Sequence, residues 1–175
     1  MVKFDFIKRD IVMMAAFLAL MMAVEVVWVV GPVIGNLIYP VIFGAILITA
    51  ARVIRKRYSI LILLAVDTII TLSTAHLYGG TLAAVAYITG AIPLEGVLQL
   101  RDPYGENKNM DLLGILAYGL VSAVTYVAVM VLIYGMALPI WAMIGLIIVP
   151  LVPYVLGGFI GFRIGGRVKN VMESM

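Results

Sequence analysis

Three carboxylates stand where carboxylates are costly. Glu25, Asp67 and Glu95 each interrupt a long apolar stretch. An ionised group at bilayer depth is retained where a cavity, a partner or a ligand offsets its desolvation. Around the first two, the sequence supplies an aromatic and polar set: Trp28, Asn36, Tyr39, Thr71, Ser73, His76, Tyr78 and Tyr87. Two carboxylates among rings and hydrogen-bonding groups suit a cationic or polar aromatic ligand, held by cation–π contact, stacking and hydrogen bonds. The competing reading makes Trp28, Tyr39 and Tyr78 the aromatic belt of a membrane interface. Glu95, near Arg101 in sequence, could pair with a basic group, line an inner cavity or form a subunit contact.

Other chemistries find little here. His76 is the only histidine and there are no cysteines, so a metal centre built on histidine or thiolate ligands is excluded, as are disulfides. Neither H-E-x-x-H nor G-x-S-x-G occurs, which argues against zinc proteolysis and a hydrolase elbow. Ser73 and His76 lie one helical turn apart, but no oxyanion motif accompanies them. The phosphate-loop pattern is absent, and 175 residues that are nearly all apolar span leave no room for an ATP-binding domain. No enzyme, cofactor or metal is expected.

The elements that must position these acids are membrane helices. The chain is 65% hydrophobic and 12% charged, against roughly 25% charged for a soluble domain, and its mean hydropathy is +1.18. Strand-period alternation is missing, so a β-barrel is not expected. The apolar runs predict six transmembrane helices over about 11–30, 37–51, 59–75, 81–100, 112–134 and 138–164, forming one all-α integral membrane domain over 1–175. Asp10 can cap the first. Residues 31–40, with two prolines, two glycines and Asn36, read as a loop or broken helix, with Pro40 in the first turn of segment two. Gly90 and Pro93 should bend segment four. The sixth segment is long for one span, so tilt, a kink or an extension is expected. The N-terminus does not read as a cleaved signal.

All twelve lysines and arginines fall in four stretches: Lys3, Lys8 and Arg9; Arg52, Arg55, Lys56 and Arg57; Arg101 and Lys108; Arg163, Arg167 and Lys169. The gaps after segments one, three and five contain none. Basic residues accumulate on the cytoplasmic side of a membrane, so both termini are expected in the cytoplasm of a multi-pass protein of the cell membrane. Glu25 and Asp67 then fall in the outer and middle levels, and Glu95 in the inner half. The net charge of +3 suits loops beside an anionic leaflet better than nucleic acid.

Two stripes of small residues invite close helix approach. Segment one carries Ala15, Ala19 and Ala23, for packing inside the bundle or against a partner subunit. Segment six carries Gly157, Gly161 and Gly165, broadened by Gly158 and Gly166, for which internal packing is the stronger reading.

With these features the chain resembles the substrate-binding S components of energy-coupling factor (ECF) vitamin transporters. Size, six spans, inward termini and the Ala15/Ala19/Ala23 ridge carry the likeness. Within that family it looks most like the hydroxymethylpyrimidine/thiamine branch, through Tyr39-Pro-Val-Ile-Phe-Gly44, Ile54-Arg-Lys56, Asp67, the Gly79-Gly80 turn and Leu94-Glu-Gly-Val97. The chain lacks the Met-His start of nickel and cobalt members, and has aspartate at position 67 where that branch suggests glutamate. The resemblance implies a high-affinity vitamin site in the outer half, with Glu25 and Asp67 pairing a ligand amine or thiazolium and Trp28, Tyr39, Tyr78 and Tyr87 stacking on its ring. It also implies a membrane coupling (T) subunit docked on the alanine ridge and two cytoplasmic ATPase subunits. Two alternatives stay open: a structural membrane scaffold subunit, and a proton-coupled transporter using the three acids as a relay. The absence of a strong internal repeat weighs against the latter.

Overall fold

The computed structural model describes residues 6–27, 32–74 and 82–174, the side chains of 32–34 excepted. The described residues form seven helices: α1 (Lys8–Glu25), α2 (Pro32–Ile54), α3 (Ser59–Thr74), α4 (Val85–Leu98), α5 (Lys108–Ala128), α6 (Ile140–Ile148) and α7 (Leu151–Glu173). A 3₁₀ turn, Leu82–Ala84, precedes α4, and a π-helical turn, Val129–Ile133, ends α5. No strand occurs among the described residues. In hydrocarbon every backbone N–H and C=O must be satisfied within the protein, which makes helix the outcome even for runs as rich in β-branched residues as α3 (SILILLAVDTIITLST).

The apolar stretches Gly35–Ile54, Lys108–Ile133 and Ile140–Glu173 are long enough to cross a bilayer, while Ser59–Thr74 and Leu82–Leu98 are apolar but shorter. The outward-facing side chains of the bundle are themselves apolar: Ile69, Ile92, Leu132, Trp141 and Val152 are all more than 60% exposed. A surface of this kind has lipid as its solvent.

Several boundaries differ from the sequence reading. Residues 32–40 are not a loop: α2 runs unbroken from Pro32, and Pro40 lies in its interior. Pro32 takes the first-turn position that suits a residue without an N–H. The α1 helix begins at Lys8, so Asp10 is not the cap; its Oδ2 accepts from the Ile7 N–H at 3.1 Å, from inside the first turn. The fifth helix starts four residues before the predicted Leu112, because the Asn107 side chain accepts from the N–H groups of Asn109 and Met110 and caps it. The predicted sixth span is two helices, α6 and α7, broken at Val149–Pro150, where proline cannot donate to the preceding turn.

The long α2 and α7 pack face to face, and the glycines of α7 make this possible. A Cβ on Gly157 or Gly161 would collide with the backbone carbonyl of Val41 or Ala45, and one on Gly165 would sit 3.0 Å from Arg52. Thr49 Oγ1 donates to the Gly161 carbonyl at 3.2 Å across the same seam. The glycine stripe is thus an internal contact. The alanine stripe is the opposite. Ala15, Ala19 and Ala23 are all exposed, because α1 turns Met13, Met14, Phe17, Met21 and Val24 inward instead. Ridge packing inside the bundle is therefore ruled out for α1.

Candidate ligand-binding site

The C-terminal end of α1, the middle of α2 and α3, the start of α4 and the middle of α5 converge on one aromatic and acidic cluster. Each helix contributes because its apolar face is turned inward and the polar residue sits on that face. On α3, Leu63, Leu64, Asp67 and Thr68 are all buried. Thr68 is already committed, its hydroxyl donating to the Leu64 carbonyl at 2.7 Å. Asp67 is not. It is 0% exposed, and neither carboxylate oxygen has a hydrogen-bond partner among the described residues. Glu25 lies close enough for the two charges to oppose one another. Glu25 itself is half-buried and accepts from Thr71 Oγ1 at 3.0 Å, with the Tyr87 hydroxyl also in reach.

The rings are stacked beside these acids. Phe43 is the hub, with its centroid 4.9 Å from Tyr39, 5.7 Å from Tyr87 and 6.0 Å from Tyr118, each at a shallow interplanar angle. Tyr154 meets Tyr118 edge-on at 5.4 Å. Tyr118 is fully buried, its hydroxyl without a partner among the described residues and within electrostatic range of Asp67 and Glu25. Gly90 allows Tyr118 this position, since a Cβ there would stand 2.9 Å from its ring.

Of the residues expected from sequence, Glu25, Tyr39, Asp67 and Tyr87 come together. Asn36 is half-buried on α2, three residues before Tyr39. Trp28, His76 and Tyr78 lie outside the described residues. Ser73 is exposed and its hydroxyl donates to the Ile69 carbonyl, as expected of a serine in an apolar helix. Sequence reasoning missed Phe43, Tyr118 and Tyr154 as site residues. Tyr118 was detectable through its spacing to Gly114, Ile115 and Ser122, which share its buried face.

Glu95 has a different role from any expected for it. It is buried and makes no ion pair among the described residues. Its Oε1 accepts from the Tyr58 N–H (2.6 Å) and Gln99 Nε2 (2.8 Å), and its Oε2 from the Leu61 N–H (3.3 Å) and Tyr104 hydroxyl (2.8 Å). It caps the N-terminus of α3 from the neighbouring helix, satisfying backbone donors that a helix start leaves open. Burial and the Glu95 carboxylate hold the Tyr104 hydroxyl well above the ordinary phenol range, so it remains a donor.

No family model and no curated protein matches this chain. Among solved structures it is similar to one described as the crystal structure of an S-component of ECF transporter. The TM-score is 0.61 at 17% identity, covering 96% of this chain and 86% of that one. The two share a fold across nearly their whole length.

Proposed function

We propose that this chain is the substrate-binding subunit of an ATP-driven importer of the energy-coupling factor type, and not an enzyme. It takes a vitamin or vitamin precursor, with thiamine or hydroxymethylpyrimidine the leading ligands. The observation that carries this reading is Asp67. A fully buried carboxylate with neither oxygen partnered among the described residues, beside a second carboxylate and four stacked rings, carries a desolvation cost. A cationic or amino-bearing aromatic ligand would remove that cost. The S-component fold of the similar structure fits the same reading.

The same reading gives six spans with both termini in the cytoplasm. Its support is the gathering of basic stretches at one end. There Arg55 pairs with Glu106 and Glu173, Lys169 with Glu106, and Arg57 with Asp102. These contacts tie together the α2–α3 turn, the α4–α5 loop and the end of α7. Glu25 and Asp67 then belong to the outward half, with Trp28, Asn36, His76 and Tyr78 assigned to the rim of the site. The exposed Ala15/Ala19/Ala23 ridge is assigned to the T subunit, which two ATPases would drive.

The test is a thermal-shift screen of the purified chain against thiamine, hydroxymethylpyrimidine, riboflavin, biotin and folate. A true ligand at a hundredfold its Kd stabilises by about 2.7 kcal/mol. The Asp67→Asn and Glu25→Gln variants should each weaken that ligand by about a hundredfold or more, as expected when a charged partner is lost in a desolvated site. Wild-type affinity in both variants refutes the assignment.

A further inference from the structure

At the basic end of the bundle lies a cleft of about 760 Å³, open to solvent, between the start of α1, the α2–α3 turn and the α4–α5 loop. Four cations line it, Arg9, Arg55, Lys56 and Arg57, against two carboxylates, Asp10 and Asp102. Neither acid is available to balance them all. Asp10 is 2% exposed and bonded to the Ile7 N–H. Asp102 receives Arg57 Nη2 at both oxygens, at 2.8 and 3.0 Å. Arg55 is held by Glu106 and Glu173. The side chains of Arg9 and Lys56 make no ion pair or hydrogen bond among the described residues, so within them the cleft has two cations without a carboxylate partner, one from α1 and one from the α2–α3 turn.

The turn that presents Lys56 is held in an uncommon shape. Arg55 and Tyr58 have φ of 56° and 67°, in the left-handed region that non-glycine residues rarely occupy. The cleft also has an apolar edge. Ile7 lines it, and Ile11, one turn further along α1, is 59% exposed toward the bundle's outer surface. A small free anion would use the cations and leave this apolar track unused. A phospholipid uses both.

We propose that this cleft binds the phosphate headgroup of an anionic phospholipid between Arg9 and Lys56, with an acyl chain along Ile7 and Ile11. The proposal rests on the membrane-spanning part of the reading above, and not on its vitamin ligand or its importer partners. Juxtamembrane cations attract anionic headgroups individually; here two line one concave site.

The test uses the full chain in nanodiscs of phosphatidylcholine with or without phosphatidylglycerol, read by thermal shift and by native mass spectrometry of retained lipid. Wild type should melt higher with phosphatidylglycerol and retain it. The R9Q/K56Q variant should lose the shift and retain the lipid about thirtyfold less well, the attraction of two surface cations. The single R9Q variant should fall between. Asp102→Asn, which removes an acid from the cleft, should increase retention. Removing two exposed cations elsewhere, R101Q/R167Q, should leave the shift intact. The proposal is overturned if R9Q/K56Q keeps the full shift, or if R101Q/R167Q loses it equally. It is also overturned if inorganic phosphate alone reproduces the shift in phosphatidylcholine. Thiamine binding in the same nanodiscs is a separate readout, so a missing vitamin site and a missing lipid site are told apart.

Discussion

The two ends of the bundle use the same residue type in opposite ways. At the basic end, Glu95 is buried and receives four donors, two from backbone N–H groups at the start of α3 and two from Gln99 and Tyr104. In the aromatic half, Asp67 is buried at least as deeply and receives none among the described residues. Burial alone therefore does not distinguish a structural acid from a functional one. The supply of partners separates these two acids, and the surroundings must separate Asp67 from Asp111, which is also buried and without a hydrogen-bond partner among the described residues but lies in the first turn of α5, away from the rings. A satisfied buried carboxylate holds the fold together, whereas an unpartnered one destabilises it; under the proposed function Asp67 is retained for its ligand. Removing each should change stability in opposite directions.

The largest effect belongs to Glu95. Glu95→Ala strands the Tyr58 and Leu61 N–H groups and the Tyr104 hydroxyl in a buried setting, and should cost about 3–5 kcal/mol. Glu95→Gln keeps the shape and some acceptor capacity, and should cost less. Thermal unfolding in detergent with and without denaturant ranks the two. Equal, small losses would mean that the cap is not what orders α3.

Asp67 should move the other way. Asp67→Leu replaces an unpartnered buried carboxylate with an apolar side chain of similar reach, and should stabilise the ligand-free protein by about 1–3 kcal/mol. The same variant should lose the ligand-induced shift. A destabilised Asp67→Leu would give Asp67 a structural role like that of Glu95 and erase the contrast.

Sequence patterning revealed the anomalous acids but not what surrounds them. Glu25, Asp67 and Glu95 are conspicuous because charge in an apolar run is rare, and the level of each along its helix follows from counting residues. The donors around Glu95 could not be read in this way. Apart from Gln99, one turn further on, they come from the α2–α3 turn, the start of α3 and the α4–α5 loop, which meet α4 only when the bundle is assembled. Tyr118 could be read as inward-facing from its spacing to Gly114, Ile115 and Ser122, but its place in the ring cluster depends on how α4 packs on α5 at Gly90. Asp111 lies just outside the apolar run that begins at Leu112, yet it is buried in the first turn of α5, because the Asn107 cap starts that helix earlier than the run suggests. The unbroken α2 shows the converse error. Pro40 reads locally as the first turn of a helix, but it lies inside one, and a helix flanked by apolar neighbours tolerates one missing N–H.

The two small-residue stripes extend the contrast to surfaces. Gly161→Leu must displace the Ala45 backbone and should unfold the α2–α7 pair. Ala19→Leu projects from an exposed face and should change stability by no more than about 0.5 kcal/mol. Under the proposed function, Ala19→Leu leaves ligand binding intact and stops uptake in cells that supply the T and ATPase subunits. Normal uptake with this variant would move the partner contact off α1.

The smallest effect concerns the ion pairs of the basic end, and pH reveals it. Lys169, which donates to Glu106 Oε1 at 2.7 Å, holds the Glu106 carboxyl below the ordinary carboxylate range, with Arg55 adding to the effect. A carboxyl whose pKa is lowered by folding contributes stability that is fully present above its unfolded value and is lost as pH falls through the folded one. Acidification through the carboxylate range and below should therefore loosen the junction between the α4–α5 loop and α7. High salt should imitate part of this, since partly exposed pairs are screened. Glu106→Gln should flatten this acid limb of the melting-temperature profile while leaving the neutral-pH fold in place. A variant that follows the wild-type acid profile throughout would assign the limb to other carboxylates, and would leave the basic end joined by the Glu95 cap and by packing rather than by its surface charges.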